Sequence, residues 1–199
     1  MAGKDSETTA WYGREAGAYT TRTRTPPEQA LTAFMSLLPA GGSVLELGCG
    51  AGEDSATMLA AGFDATPTDG TAEIAAAAAK KLGRPVAVLL FENLKEVERY
   101  HGVWANACLL HVPRPNLAGI LKQVHRALKP GGLFYSSFKA GTAEGRDTFG
   151  RYYNYPDEDW LRHAYGHDRW AAVEVHSAMG TGYDQEPTEW LHVLASKYD

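Results

Sequence analysis

The stretch from Ser43 to Gly52 constrains the fold of this 199-residue chain more than any other. It begins with an apolar run, Ser43–Leu47, that follows a Pro-Ala-Gly-Gly turn signal, and such a run predicts a buried strand. Glycines then occupy alternate positions: Gly48, Gly50 and Gly52. Acidic residues and a helical segment follow, so the order is strand, glycine turn, helix. Such a turn lies at the carboxyl end of a parallel strand, where open α/β sheets bind cofactors and where glycine lets the backbone approach a ligand.

Strands and helices alternate along the rest of the chain. Apolar runs predict further strands at residues 63–68, 86–91, 103–107 and 133–138. Helical patterns fill the intervals, and another helix opens at Pro26-Pro27 before the first strand. Two late runs, 171–177 and 190–196, predict an antiparallel pair at the sheet edge. We therefore expect an α/β fold with a doubly wound, mostly parallel, seven-stranded sheet and an antiparallel edge strand.

The same patterns suggest how the chain is divided. No interdomain linker or internal repeat is visible, and we expect a single domain over residues 1–199. Residues 1–25 would form an N-terminal flap or lid, irregular in its first ten residues, and residues 140–168 a polar and aromatic insertion on the substrate side. Nothing in the pattern decides between a monomer and a homodimer.

Composition excludes several classes of function. The net charge is −5 and no basic run occurs, which argues against nucleic acid as a partner. No apolar run is long enough to span a bilayer, and the polar N-terminus lacks a signal-peptide core, so no membrane partner is expected. The two cysteines, Cys49 and Cys108, fit no zinc or disulfide pattern and favour a reduced, cytoplasmic protein.

Asp69 extends the predicted site to a second strand end. A carboxylate here can accept hydrogen bonds from both hydroxyls of a ribose, although it could also simply cap the next helix. A dinucleotide site would need its third glycine three positions after the second and a helix start free of acidic residues. Here Glu53-Asp54 open the helix and Glu46 lies in the strand, so the turn suits a cationic ligand better than a pyrophosphate.

These motifs resemble those of the class I S-adenosylmethionine-dependent methyltransferases. The E-x-G-x-G-x-G turn that begins at Glu46 matches their first motif, and Asp69 takes the place of their ribose carboxylate. Residues 109–112 resemble the segment after their fourth strand, and residues 128–132 the turn before their fifth. The likeness covers residues 10–199, and the segment from residue 136 to residue 156 resembles that of small bacterial tellurite-resistance-like members. It implies a Rossmann-like methyltransferase sheet and S-adenosylmethionine as the cofactor.

The resemblance also assigns cofactor-binding residues. On the methionine side it implies Glu46, Gly48, Gly50, Gly52 and Ala107. On the ribose and adenine side it implies Asp69, Gly70, Phe91 and Glu92. The family often has an aspartate near the last two positions, and Phe91-Glu92-Asn93 departs from that pattern. Two aromatic residues of the N-terminal segment would either close over the cofactor or pack on the body of the protein: Tyr12 and Tyr19.

The remaining candidates concern the acceptor. A sulfonium methyl group is already activated, so proximity and orientation supply much of the catalysis. His111 is the candidate general base if the acceptor must lose a proton, and otherwise a structural histidine at a strand end. The connection after the fifth strand would form either the acceptor wall or a solvated surface, and its candidate binding residues are Lys139, Arg146, Arg151, Tyr152 and Tyr153. His163 and His167 have zinc-like spacing but no evident third ligand, so we predict no metal.

The sequence therefore predicts methyl transfer from S-adenosylmethionine to a small-molecule acceptor by in-line attack, catalysed mainly by proximity and orientation. An NAD(P)-dependent oxidoreductase is the first alternative, against which the glycine spacing and the lack of a Tyr-x-x-x-Lys pattern argue. A non-catalytic protein that binds or senses the cofactor is the second, because no residue is compelling as a catalyst.

Overall fold

The computed structural model describes residues 5–22, 27–166 and 170–199. Its strands are β1 (Ser43–Leu47), β2 (Asp64–Asp69), β3 (Ala87–Val88), β4 (Tyr100–Ala105), β5 (Leu128–Lys139), β6 (Gly145–Arg146), β7 (Tyr152–Tyr153), β8 (Trp170–Thr181) and β9 (Pro187–Lys197). Its α-helices are α1 (Ser6–Arg14), α2 (Ala16–Thr21), α3 (Glu28–Ser36), α4 (Glu53–Ala60), α5 (Ala72–Leu82), α6 (Arg114–Ala127) and α7 (Glu158–Tyr165). Short 3₁₀ turns occupy Phe91–Asn93 and Leu109–His111. No helix within these ranges is long and apolar enough to cross a bilayer.

The sheet confirms the predicted architecture. Seven strands lie in the order β3-β2-β1-β4-β5-β9-β8, and the first five are parallel. β9 runs antiparallel to β5 and lies one place in from the edge, where β8 pairs with it antiparallel. The strand order reverses between β1 and β4, so the carboxyl ends of these two strands border a crevice.

Two apolar layers hold helices on the two sides of the sheet. On one side, α6 buries a stripe at helical spacing against β4 and β5: Leu117, Ile120, Leu121 and Val124. On the other, Leu31 and Phe34 of α3 pack with Trp104 and Tyr135, whose rings stack with centroids 3.9 Å apart. The indole N–H of Trp104 donates to the buried Asp54 carboxylate, 2.9 Å away, which ties the start of α4 to the sheet.

Some predicted boundaries were wrong. The third strand shrinks to Ala87–Val88, because it is an exposed edge and the chain beyond it turns along the crevice. The first ten residues were expected to be irregular, but α1 begins at Ser6. The carboxylate of Asp5 caps it by accepting the Thr8 amide at 2.8 Å. β8 and β9 are both longer than predicted, since they continue as a ribbon beyond the body of the sheet. The expected end of the lid near residue 25 falls outside the described residues.

Candidate active site

The glycine turn after β1 adopts a left-handed backbone that favours glycine. Gly48 and Gly50 have φ of +66° and +55°, in the left-handed region. A Cβ on Gly48 would lie 2.6 Å from the Cβ of Cys108, so no side chain fits there. Gly52, with φ of +84°, faces Leu82 of α5 and starts α4 instead of lining the crevice. The first two glycines therefore open the crevice floor, and the third serves the helix start.

Asp69, at the end of β2, holds the glycine turn in place. One of its carboxylate oxygens accepts the Gly50 amide at 3.1 Å and the other accepts the Thr71 amide at 2.9 Å. Its side chain lines a cavity, although the residue is only 7% exposed. Burial raises the pKa of Asp69 to about 6, and the two amide hydrogen bonds oppose that rise.

The cavity beside Asp69 gathers most of the predicted cofactor residues, and we call it the smaller cavity because a larger one adjoins it. They are Tyr12, Tyr19, Gly48, Gly50, Asp69, Gly70, Phe91 and Ala107, together with His111. Glu92 does not line it, and one of its carboxylate oxygens is buried with no hydrogen-bond partner in the described part of the chain. Sequence reasoning missed Leu89 and Leu90, which line the cavity because β3 ends early.

Ala107 lies where the crevice joins the neighbouring cavities. Its φ is +52°, a strained value for a residue with a Cβ, and its amide donates to the Ser137 hydroxyl at 2.8 Å. Ser137 donates in turn to the side-chain carbonyl of Asn106 at 2.7 Å. Ala107 lines the smaller cavity, the larger cavity and a third depression beside the glycine turn.

The third depression is acidic, as the sequence predicted. Glu46 lines it, and its buried carboxylate accepts a short hydrogen bond from the Ser55 hydroxyl. Glu53 and Asp54 add two further carboxylates. Arg22 lies at its rim, with its guanidinium 4.5 Å above the centre of the Tyr19 ring. No sequence pattern singles out Arg22, because only the folded N-terminal segment brings it here.

The N-terminal helices lie over the crevice and contact His111. The Tyr12 hydroxyl lies 2.9 Å from Nε2 of His111, and the rings of Tyr12 and Tyr19 meet edge to face. His111 Nδ1 lies 2.6 Å from the carbonyl oxygen of Tyr152, which can only accept, so Nδ1 carries the proton. Nε2 is then an acceptor for the Tyr12 hydroxyl. Burial lowers the pKa of His111 to about 4, which keeps the imidazole neutral at pH 7.

A larger cavity of about 910 Å³ adjoins the crevice. Of the predicted acceptor residues, Lys139, Arg151 and Tyr153 line it. Aromatic and histidine side chains that the sequence did not single out complete its wall: Tyr135, His176, Tyr183, Trp190 and His192. Strand alternation in β5, β8 and β9 could have found several of them, had the pairing of these strands been known.

Arg146 and Tyr152 lie outside this cavity, contrary to expectation. The guanidinium of Arg146 pairs with Asp5 at 2.9 Å and Glu7 at 3.2 Å, which attaches α1 to the β6–β7 hairpin. The hydroxyl of Tyr152 donates to Glu144 at 2.7 Å. Both side chains thus bind carboxylates outside the larger cavity, and we do not include them among the acceptor-binding residues.

The structure adds nothing in favour of a metal or disulfide. Within the described ranges, no group of three histidine, cysteine, aspartate or glutamate side chains could hold a metal ion. His167, one of the two histidines weighed for zinc, lies outside the described residues. Cys49 and Cys108 are both free and buried.

The fold and the site together define a class: an α/β protein with a nucleoside-cofactor crevice at the carboxyl edge of a parallel sheet. A family model described as a methyltransferase domain matches residues 19–172. The chain therefore belongs to this family; it is a class I S-adenosylmethionine-dependent methyltransferase, and S-adenosylmethionine is its cofactor. No finding supports the oxidoreductase alternative.

Solved structures share the fold. One is the 1,6-didemethyltoxoflavin-N1-methyltransferase of Burkholderia thailandensis, with 1,6-didemethyltoxoflavin and S-adenosylhomocysteine bound. It is 22% identical, with a TM-score of 0.76 over 98% of this chain and 87% of that one. A methyltransferase from Methanosarcina mazei is 16% identical, with a TM-score of 0.74 over 88% and 99%. The phosphoethanolamine N-methyltransferase 2 of Haemonchus contortus is 14% identical, with a TM-score of 0.72 over 96% and 57%. No curated protein sequence matches the chain significantly.

Proposed function

We propose that this methyltransferase acts on a small-molecule acceptor that binds in the larger cavity. One observation carries the proposal: the two cavities meet, since Tyr12, Tyr19, Ala107 and His111 line both. The larger cavity, at about 910 Å³, is in the size range of small-molecule sites. Two proteins of the same fold were solved with small molecules bound, 1,6-didemethyltoxoflavin and phosphomonomethylethanolamine. A cytoplasmic location and the lack of a nucleic-acid partner stay predictions from composition.

The residues of the crevice fit S-adenosylmethionine. The Asp69 carboxylate would accept the ribose hydroxyls, and Leu90 and Phe91 would flank the adenine. The acidic depression around Glu46 suits the positive charges of the methionine part, and Arg22 at its rim suits the carboxylate. When bound, the cofactor supplies a methyl group on a sulfonium, which a nucleophile can attack directly. The chain has to hold donor and acceptor in line and exclude water, which the lid formed by α1 and α2 would do.

Tyr12 and His111 offer a route for a proton that leaves the acceptor. Tyr12 lines both cavities, and its hydroxyl donates to the unprotonated Nε2 of His111. As the acceptor loses its proton to the Tyr12 oxygen, Tyr12 can pass its own proton to Nε2. His111 would then act through Tyr12 as long as the lid is closed.

Calorimetry and turnover together test the proposal. We expect S-adenosylhomocysteine to bind the purified protein, freed of ligand, with a 1:1 ratio. Labelled S-adenosylmethionine, incubated with a set of small acceptors, should yield S-adenosylhomocysteine and one methylated product. Binding without turnover on any acceptor would instead favour the cofactor-sensing alternative. Absence of binding at millimolar ligand would refute the cofactor assignment.

Affinity for S-adenosylhomocysteine should fall as the pH drops below about 6. The free protein holds Asp69 with a pKa near 6, and only its ionised form accepts both ribose hydroxyls. Protonation therefore competes with binding, and the dissociation constant should rise about tenfold for each pH unit below that value. Titrations at pH 5, 6, 7 and 8 measure this. Asp69→Asn, which has no proton to gain, should bind more weakly with a flat profile, and a flat profile in the wild type would contradict the role of Asp69.

Removing the Tyr12 hydroxyl should slow turnover on an acceptor whose nucleophile carries a proton. Tyr12→Phe keeps the ring that covers the crevice but breaks the path to His111, so we expect a loss of about a hundredfold in kcat. S-adenosylhomocysteine affinity should change less than threefold. Tyr19→Phe is the matched control, because the Tyr19 hydroxyl makes no hydrogen bond within the described residues. Equal kcat values for the two variants would exclude the proton route.

A further inference from the structure

One face of β5, β9 and β8 forms the floor of the larger cavity. Side chains alternate along a strand, so every second residue of β5 points to this face. These residues lie opposite their β9 partners in register: Tyr135 and Leu194, Ser137 and His192, Lys139 and Trp190. All six line the cavity. The other face of β5 carries Phe134 and Phe138, which pack in the apolar core. One face of the strand therefore lines the cavity and the other stabilises the fold.

Lys139 brings a positive charge into this floor, and within the part of the chain that the structure describes its ammonium contacts an aromatic ring and no carboxylate pairs with it. The residue is only 7% exposed, and no ion pair or hydrogen bond to its ammonium exists among residues 5–22, 27–166 and 170–199. The ammonium lies 5.0 Å from the centre of the Tyr153 ring. Burial lowers the pKa of Lys139, and Asp184 acts in the opposite direction. An unpaired buried ammonium costs free energy, which a ligand anion would offset.

The other cations of the cavity are committed elsewhere. Arg151 donates through Nε and Nη2 to Asp147 at 2.9 and 2.7 Å, and through Nη1 to the Tyr12 hydroxyl at 3.3 Å. Arg22 stacks on the rings of Tyr19 and Tyr183 at the cofactor side. Among the described lysine and arginine side chains that line the cavity, Lys139 is therefore the one whose N–H donors make no hydrogen bond and that does not also line the acidic depression.

The walls around Lys139 are flat and aromatic. Tyr153 lies beneath the ammonium, and Trp190 is its cross-strand neighbour. His192 holds the Tyr135 hydroxyl at 2.7 Å through Nδ1 and stacks on His176, with ring centroids 5.2 Å apart. Such surfaces favour a planar ring by stacking. One ammonium among aromatic rings suits a singly charged carboxylate better than a phosphate, which needs more donors.

We propose that the acceptor is a planar aromatic carboxylate, with its carboxylate on Lys139 and its ring against the aromatic floor. This rests on the proposed methyl transfer and adds the substrate class to it. Ser137, which holds the Ala107 amide at the cofactor junction, is two residues from Lys139 on β5. Two residues of a strand span about 7 Å. The carboxylate should thus lie about one or two ring widths from the methylated atom.

Paired probes of equal shape test the charge. Protein saturated with S-adenosylhomocysteine is titrated with 2-naphthoate and with the neutral 2-naphthamide, and we expect naphthoate to bind at least tenfold more tightly. Lys139→Met should remove that preference and leave naphthamide affinity unchanged, whereas Lys139→Arg should retain part of it. Lys122→Met, at an exposed position of α6, is the control and should alter neither affinity.

Each outcome decides the inference. Equal affinities in the wild type, failure of both probes to bind, or a preference that survives in Lys139→Met would overturn it. The prior titration with S-adenosylhomocysteine separates failure of this inference from failure of the proposed function. Cofactor binding should be absent if the proposed function is wrong, but it should be retained if only the substrate class is wrong. The Tm of Lys139→Met should be equal to or above that of the wild type, because a buried charge is removed. If this variant does not fold, Lys139→Gln replaces it, and destabilisation of both would assign Lys139 a structural role.

Discussion

Replacing Asp69 with alanine should weaken S-adenosylhomocysteine binding by about ten- to a hundredfold. In the free protein Asp69 is buried and ionises only against the cost of that burial, which its raised pKa reports. Losing a carboxylate that accepts hydrogen bonds from the ribose hydroxyls should cost about 1.5–3 kcal/mol in total, which is one to two decades of affinity. The variant also frees the amides of Gly50 and Thr71, which loosens the turn in the same direction. Calorimetric titration at pH 7 measures the change.

The same strand supplies a control for this prediction. Asp64→Ala removes an exposed carboxylate from the other end of β2 and should leave the affinity within twofold.

The stability of the ligand-free protein is a second measurement, and here removal of the Asp69 charge should be favourable. Because the folded-state pKa of Asp69 is raised, ionisation of its carboxyl group destabilises the folded state, most strongly above pH 6 and not at all below its unfolded pKa of 3.8. Ligand-free Asp69→Asn should therefore be at least as stable as the wild type at pH 7. Unchanged affinity in Asp69→Ala would place the ribose elsewhere.

The sequence predicted the parts of the fold that local pattern controls. The glycine turn was found because Gly48 and Gly50 lie in a left-handed backbone region that favours glycine, and that preference is visible in the residue type itself. Asp69 was found because the sequence pattern marks the end of the second strand, and Asp69 lies at that end. β3 was overestimated, since apolar Leu89 and Leu90 were assigned to the strand although they line the crevice beyond it.

Contacts between distant segments could not be read in this way. Tyr12 and His111 are 99 positions apart, and only the docking of α1 over the crevice brings them within 2.9 Å. The segment from the end of β5 through the following loop offered five candidate cations and tyrosines of equal rank, but the pairing of Arg146 with Asp5 depends on how the hairpin meets the lid. Lys139 lies on a buried strand face, whereas Arg146 lies on the hairpin that pairs with the lid. Which residues pair and which stay available for a ligand is thus a tertiary property.

Arg151 shows this most clearly, and its removal should have the largest effect on stability. It is 1% exposed, pairs with Asp147, and packs its guanidinium against rings of the lid and the acceptor wall, at 4.5 Å from Trp11 and 4.8 Å from Tyr183. Breaking a buried ion pair by removing one partner leaves the other charge uncompensated and costs about 3–5 kcal/mol. For a chain of this size Arg151→Met should lower the Tm by roughly 6–20 °C. Differential scanning calorimetry measures it.

Two further variants separate the buried charge from the packing around it. Arg162→Met removes an i,i+4 pair with Glu158 in which both side chains are nearly half exposed, so it should cost less than about 1 kcal/mol. Asp147→Asn combined with Arg151→Met removes both charges while the amide oxygen can still accept from the Phe149 amide. If the uncompensated carboxylate dominates, the double variant should recover much of the lost Tm, giving a clear coupling in the cycle. If it is no more stable than Arg151→Met alone, the aromatic packing of the guanidinium, and not its charge, holds the lid against the acceptor wall.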